Sequence, residues 1–389
     1  MISLKIFLKN SRYFASAFFF SGFSLILSTW FIYIPYVSDK LGISEGEIGI
    51  AILFSAIGAL VIIPLTKYLI DRIGEGKMAF FSQVLYSVIS FGPFIAPTYN
   101  TLCAALFLLG MGGSILSLSI NSLIPAVEKE DNVYIMSGSH GFFSVGGMIG
   151  AGAGSFIASV IQFPVLHIGA VNVIIITIQL IFRKKYFYVV SKKTIKEKVR
   201  KKQSVLKPLF LIVAVGVILM VSEGAIADWS ALYLRDVAKT KLSYIGLGYS
   251  GFSLFMAIGR FLGDWGSKKF GSWQLITINS IIAIAGFLIV LYTGNVFSIA
   301  GFAIVGLGFS AIVPEVFRLA SYMENIDVST GISFLTAATY VGFMAGPVFL
   351  GFLAEFDSLH LSFRVVTLMI IIVFILSVYS VSKLKKSAA

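Results

Sequence analysis

Twelve long apolar runs follow one another along this 389-residue chain, and they constrain its fold more than any other feature. The hydrocarbon core of a bilayer is about 30 Å thick, and an α-helix crosses it with about 20 residues. Only 12% of the residues are charged, whereas soluble domains average about 25%. The sequence therefore predicts an all-α membrane protein with twelve transmembrane helices and no soluble domain.

Charged residues, prolines and glycines separate the runs and set the predicted helix boundaries. The first run is about 25 residues long and follows three basic residues, which is too long for a secretory signal and predicts a retained helix. The predicted helices are 13–38, 47–70, 77–96, 100–127, 134–162 and 164–182, then 208–233, 242–264, 272–292, 295–323, 328–354 and 361–383.

Lysine and arginine are distributed unevenly along the chain. About eleven of the thirty lie in residues 183–207, which suits a cytoplasmic loop beside anionic lipid better than a nucleic-acid surface. With the N-terminus in the cytoplasm, alternate loops place about 22 basic residues inside and three more at the inner helix ends. Both termini are therefore predicted to be cytoplasmic, and the basic residues left outside are Lys40, Arg235, Lys239, Lys241 and Arg364.

The residue types that carry catalysis are sparse in this sequence. The single cysteine, Cys103, lies in an apolar run and excludes an intramolecular disulfide and a cysteine metal site. The three histidines lack metal-ligand spacing, and neither a Ser, His and acid set nor a phosphate-binding loop is found. The sequence predicts no enzyme activity, no metal, no cofactor and no nucleic-acid partner.

The two halves of the chain resemble each other. "VGGMIGAGAGSFIAS" at 145–159 aligns with "VGFMAGPVFLGFLAE" at 341–355, an offset of half the chain, and Asp71 and Asp264 follow the second and eighth predicted helices at nearly the same offset. Parallel repeats of this kind are typical of carriers with two similar halves. The predicted organisation is a six-helix half at 1–182, a basic cytoplasmic linker at 183–207 and a second six-helix half at 208–389.

The loop "KYLIDRIGEGK" and its counterpart "GRFLGDWGSKKFG" resemble the cytoplasmic loop motif of the major facilitator superfamily, although Lys67 stands where the family usually has glycine. Longer strings, such as "MSGSHGFFSVGGMIGAGAG" and "EGAIADWSALYLRD", resemble a YbjJ-type bacterial inner-membrane subgroup distantly akin to fucose permease. The resemblance implies a secondary transporter that works by alternating access in the bacterial inner membrane. It also implies gating or conformational-switch roles for Asp71, Arg72, Gly74, Lys77, Arg260 and Asp264.

Two carboxylates interrupt the seventh predicted helix. A carboxylate near the middle of a span costs about 2.5–3.5 kcal/mol and usually faces an interior cavity. Glu223 is expected just past the midplane, and Asp228 lies farther out and about 140° round the helix. Glu223 is predicted to bind substrate or couple protons. Asp228 either shares that role or lies at the interface, where it pairs with Arg235 or with a group in the loop beside the eleventh helix.

Further candidates for the cavity wall are polar and aromatic. The amide of Asn121 donates and accepts hydrogen bonds, and aromatic rings at Trp30, Tyr33 and Trp229 stack on sugar faces, although such rings also form interfacial belts. His140 could bind an acidic solute or serve as a packing partner.

Glu315 and Arg318 are spaced i and i+3 after Pro314, which is expected to bend the tenth helix. The pair is predicted to form an inner-end salt bridge that gates the cytoplasmic side or holds the helices, or else to contact substrate.

The leading hypothesis is proton-coupled uptake of a small polar organic solute of the sugar or organic-acid class. Relatives of fucose permease carry acidic residues in helices 1 and 4, and this chain has none there, so coupling is expected on helix 7 or 10, or through another ion. Export of amphipathic compounds is an alternative, and a receptor or scaffold that does not transport is another. The expected partners are the solute, the coupling ion and membrane lipids, and the expected state is a monomer.

Overall fold

The structure, a computed structural model, describes residues 2–133, 135–161, 163–190, 206–321 and 328–388. Throughout these ranges the chain is helical and no strand occurs. Twelve of the helical segments are long and apolar enough to cross a membrane. The all-α fold with twelve transmembrane helices is therefore confirmed.

The chain divides into two compact units, residues 1–195 and 196–389, which we call the first and second unit. In the first unit a short α1 (Ile2–Lys9) precedes six spans. They are α2 (Ser11–Leu41), α3 (Glu45–Ile73), α4 (Glu75–Ile89) with its continuation α5 (Gly92–Ile95), α6 (Tyr99–Asp131), α7 (Met136–Val160) and α8 (Pro164–Phe182).

The second unit repeats this order of six spans. They are α9 (Leu206–Leu232), α10 (Leu247–Phe270), α11 (Ser272–Thr293), α12 (Asn295–Phe309) with α13 (Ile312–Ser321), α14 (Val328–Phe356) and α15 (Leu359–Ala388). A π-helical turn, Tyr233–Val237, extends α9. Residues 191–205 of the predicted linker lie outside the described residues.

Local sequence signals set the helix ends. Ser44 accepts a hydrogen bond from the backbone of Glu47, whose side chain accepts one from the backbone of Ser44, and this capping box begins α3. Gly42 and Gly74 have φ of +63° and +90° at the ends of α2 and α3. Glycine adopts positive φ without a steric cost, which permits such short connections.

Prolines break two helices that were predicted to be continuous. Pro314 follows the interruption between α12 and α13, and its ring would meet the carbonyl of Ser310, four residues earlier, if the helix continued. At the break between α4 and α5, the ring of Pro93 would likewise meet the carbonyl of Ile89, four residues earlier, if the helix continued. The bend expected at Pro314 is thus found as a short interruption of the helix.

The glycines of the sequence repeat make equivalent contacts in the two units. A Cβ on Gly146 of α7 would lie 2.4 Å from the carbonyl oxygen of Ser21 on α2, and one on Gly342 of α14 would lie 2.9 Å from that of Val217 on α9. Small residues let helix backbones approach closely in lipid. In each unit the fifth span therefore packs against the first through the same repeated position.

Candidate functional site

The two carboxylates of α9 lie within the membrane-spanning segment. Glu223 is at the middle of the span Phe210–Val237 and is half-buried. The predicted helix ended at residue 233, and the π-helical turn carries the observed helix on to Val237. Asp228 is only 5% exposed. Both acids therefore lie in the membrane-spanning part of α9, Asp228 more deeply buried than Glu223.

A polar face of α10 lies opposite these acids. Tyr249, Ser253 and Arg260 fall on one side of α10, because spacings of four and seven residues return to the same side of a helix. Tyr249 is within electrostatic range of both Glu223 and Asp228 and within hydrogen-bonding reach of Ser253. Arg260 is within electrostatic range of Glu223. We call these five residues the α9–α10 charge cluster.

The charged members of the cluster lack direct partners. Across the described residues, no hydrogen bond or ion pair joins the side chains of Glu223, Asp228 or Arg260 to another protein group. Buried charges in proteins are normally paired or hydrogen-bonded, because desolvation without a partner is costly. The cluster thus has the chemistry of a site that a solute or an ion completes.

The neighbours of Asp228 differ from those expected at a membrane interface. Arg235 lies farther along the chain, where its Nε donates to Asp236 at 2.7 Å. Trp229 is fully buried and its Nε1 has no hydrogen-bond partner among the described residues, so its ring is shielded from the surroundings of the protein. Asp228 lies within electrostatic range of Tyr249 on α10.

A second polar group joins α10 to α13. Ser267 donates to Glu315 at 3.2 Å and accepts from Arg318 at 2.6 Å, and the Arg318–Glu315 pair is 3.6 Å apart. Glu315 is 1% exposed. The predicted local salt bridge is present, and the serine that connects it to α10 was missed because it lies about fifty residues away in sequence. Asp264 on α10 is the position that corresponds to Asp71 in the other half, and its side chain lies outside the described side chains.

The aromatic candidates of the first unit gather around a histidine. The hydroxyl of Tyr33 is 3.1 Å from Nδ1 of His167, and both side chains are 4% exposed. Phe94 lies against Tyr33 and Trp30, with ring centroids 5.5 Å and 6.1 Å away. Trp30 and Tyr33 are therefore interior residues of the first unit. The pairing of Tyr33 with His167 was not foreseen from the sequence, because the two residues lie 134 positions apart.

Asn121 and His140 take separate positions in the first unit. Asn121 donates to the carbonyl of Ser117 on its own helix at 2.8 Å and is half-buried. His140 is exposed on α7, and its ring centroid is 4.5 Å from that of Phe20. These contacts bring neither residue into the Tyr33–His167 group.

The loop motif of the first unit combines exposed charges with buried glycines. Asp71, Arg72 and Lys77 are exposed, and Arg72 donates to the hydroxyl of its helix neighbour Tyr68 at 3.0 Å. Gly74 is buried. The next glycine of the motif, Gly76, lies so close to the backbone of Tyr186, in the segment that follows α8, that a Cβ would not fit there. The charges of this motif are thus available at the surface of the unit.

A seam of amides inside the first unit was also missed. Asn172 of α8 donates to the carbonyl of Ser87 and to the hydroxyl of Ser90 on α4, both at 3.0 Å. Gln179 of α8 donates to Gln83 of α4 at 3.4 Å. We call these residues the amide seam. Amides within an apolar run were the available signal, because such groups usually bond across helices.

Comparison with known proteins places the chain in a family. The sequence profile described as "Major Facilitator Superfamily" matches residues 13–323. An "Uncharacterized transporter y4wD" of Sinorhizobium fredii is 30% identical, with 93% of this chain and 96% of the relative covered. "Quinolone resistance protein NorA" of Staphylococcus aureus is 22% identical over 81% of this chain and 80% of its own length.

Solved structures of transporters share the fold. The nucleoside transporter NupG matches with a TM-score of 0.76 at 11% identity, covering 95% of this chain and 99% of that one. FucP, a transporter solved in an outward conformation, matches with a TM-score of 0.61 at 13% identity, covering 94% and 98%. Identities this low support the architecture alone.

Proposed function

Since the chain belongs to the Major Facilitator Superfamily, we propose that it is a secondary active transporter of a small polar organic solute. The solute is of the sugar or organic-acid class, and protons drive its movement. Transport proceeds by alternating access, in which a site near the midplane is exposed to each side of the membrane in turn. A transporter of this family is a carrier and not an enzyme.

One observation carries the proposal: Glu223 lies at the centre of its span beside Arg260 without a direct bond to it. A carboxyl group in this position can take up and release a proton as its surroundings change, because the stabilising charge is near but not fixed in contact. Glu223 is the proposed coupling group. Asp228, Tyr249 and Ser253 form the proposed binding surface for the solute in the second unit.

The membrane arrangement follows from the distribution of charge. The basic segment 183–207 connects the halves 1–182 and 208–389 and faces the cytoplasm with both termini, in the bacterial cytoplasmic membrane. The protein works as a monomer surrounded by lipid. The exposed charges of Asp71, Arg72 and Lys77 belong to the cytoplasmic gate of the first unit, and Glu315 with Arg318 to that of the second.

The direct test is flux in reconstituted vesicles. A ligand library is screened by thermal shift on the purified protein, and the stabilising solutes are offered to vesicles with and without an inward proton gradient. Stabilisation reports binding to the native state by mass action. Gradient-dependent accumulation that Glu223→Gln abolishes and Glu355→Gln preserves supports the proposal, since Glu355 is exposed on α14. Binding without accumulation would instead indicate a receptor.

Export of amphipathic compounds is the second candidate function. It is favoured by the match to NorA, whose name refers to quinolone resistance. Inverted vesicles distinguish the two directions. Gradient-driven loading of a quinolone into inverted vesicles, with no accumulation of polar solutes in either orientation, would replace uptake by export.

A further inference from the structure

The α9–α10 charge cluster contains more carboxylate than its surroundings neutralise. Two acids, Glu223 and Asp228, share it with one guanidinium, that of Arg260. The cluster is therefore electronegative when all three groups are charged. A site inside a membrane protein with excess negative charge attracts cations and repels anions, because the low dielectric strengthens both effects.

The excess negative charge is located at Asp228. Arg260 acts electrostatically on Glu223, and no cation of the described residues acts on Asp228. Asp228 is 5% exposed, and none of the described residues donates a hydrogen bond to its carboxylate. An acceptor so deeply buried and without a donor is the position in this cluster where an incoming donor gains most.

The groups beside Asp228 suit an ammonium ion. Tyr249 lies within electrostatic range of both acids and is 9% exposed. It offers a hydroxyl acceptor and the face of an aromatic ring, which attracts cations. Ser253 adds a second hydroxyl on the same side of α10. A protonated amine has three donors, no acceptor and a positive charge, so it matches a site in which carboxylates outnumber the guanidinium.

We propose that the transported solute carries a protonated amine, which binds the carboxylate of Asp228 between α9 and α10. The inference rests on the proposed function and narrows its solute class. A polyhydroxylated amine fits, because its hydroxyls can bond Tyr249 and Ser253. A free organic acid does not fit, because its carboxylate would approach two like charges and one guanidinium.

The experiment uses sets of small molecules that differ only in charge. Glucose, glucosamine and glucuronate share a sugar ring, and butanediol, diaminobutane and succinate share a four-carbon chain. The thermal shift of the full-length wild-type protein is measured with each compound up to millimolar concentration. We expect the amine to give the largest shift within a set, and Asp228→Asn to weaken its binding about tenfold or more. Glu355→Gln, at an exposed position of α14 outside the cluster, should leave amine binding in place.

Each other outcome overturns the inference. It is wrong if the largest shift comes from a neutral or anionic compound, if no amine shifts the wild-type protein, or if Asp228→Asn binds the amine as tightly as the wild type. If Asp228→Asn does not fold, Asp228→Glu retains the charge and Tyr249→Phe removes the nearby hydroxyl. At least one of these two variants must then change the affinity for the amine and leave unchanged the response to the neutral compound.

Flux separates this inference from the proposed function. Accumulation of a neutral sugar with the proton gradient would support the proposed transport function and contradict the proposal that the solute is an amine. If an amine binds through Asp228 and is not transported in either vesicle orientation, the amine site is supported and the proposed transport function is contradicted.

Discussion

The two units place polar groups in the membrane in different ways. In the first unit the amide seam bonds α4 to α8, as in the two hydrogen bonds from Asn172 to Ser87 and Ser90. In the second unit Glu223, Asp228 and Arg260 are ionisable groups in membrane-spanning helices without a direct partner among the described residues. Neutral groups that bond across helices hold them together, whereas unbonded charges are costly and are retained for function.

On the proposed function, the amide seam has a structural role and the α9–α10 charge cluster has a chemical one. Amide Oδ1 of Asn172 and Oε1 of Gln179 have no partner, so even the seam is only partly satisfied. Its groups are nevertheless neutral, and their desolvation costs far less than that of a carboxylate. Substitutions in the two places should therefore differ in what they change: stability in the first unit, and binding or coupling in the second.

The largest effect is expected at the coupling acid. Glu223→Gln should abolish gradient-driven accumulation, because an amide of nearly the same shape takes up no proton. The protein should retain its thermal stability, since no hydrogen bond to Glu223 is lost. Accumulation of a stabilising solute is measured in vesicles, with Glu355→Gln as the matched control. Full accumulation by Glu223→Gln would show that Glu223 is not the coupling group, and the second unit would then not differ from the first in using this polar group for function.

A glycine in the first unit should give the next largest effect, on stability. Gly146→Leu places side-chain atoms against the backbone of Ser21, where a Cβ alone would lie 2.4 Å from the carbonyl oxygen. Overpacking of this kind costs about 1–3 kcal/mol. The melting temperature and the yield of purified protein should both fall. Gly224→Ala is the control, because its Cβ would meet its nearest neighbour, Phe343, at 4.0 Å. Equal losses in the two variants would contradict the close packing.

The amide seam provides the sharpest test of the comparison. Asn172→Leu removes two hydrogen bonds between helices at nearly constant size, and such bonds average about 0.6 kcal/mol each in membranes. The melting temperature should fall by a few degrees, while the affinity for a stabilising solute and its gradient-driven uptake stay unchanged. Loss of uptake by a stable Asn172→Leu protein would show that the first unit also holds functional polar groups.

The smallest effect is expected at Ser267. Ser267→Ala removes the hydroxyl that connects Glu315 and Arg318 to α10, and a net loss of about 1 kcal/mol is expected. If the group acts as a cytoplasmic gate, the variant should change the rate of uptake with little change in solute affinity. Ser358→Ala is a control, since that hydroxyl bonds only an exposed neighbour, Asp357. An unchanged rate would leave the group a purely structural connection.

Much of the fold could be predicted from local sequence. Apolar length gives the twelve spans, and the glycine repeat predicted the matched positions at Gly146 and Gly342. A bend was expected at Pro314, and the structure has a break in the helix before it. The residue at which the helix breaks depends on which turn before the proline loses its hydrogen bonds. The lengthening of α9 by a π-helical turn was not foreseen, because such a turn has no clear sequence signal.

Sequence by itself determined which residues are costly in a membrane. Glu223 and Asp228 stand out in an apolar run without any structure, because a carboxylate is costly to place within a membrane span. Which groups surround them was decided by the tertiary structure. Helix packing sets α10 beside α9, so that Arg260 acts on Glu223 and leaves Asp228 without a cation. Distances between helices depend on how their side chains fit together, and no local pattern in the sequence records them.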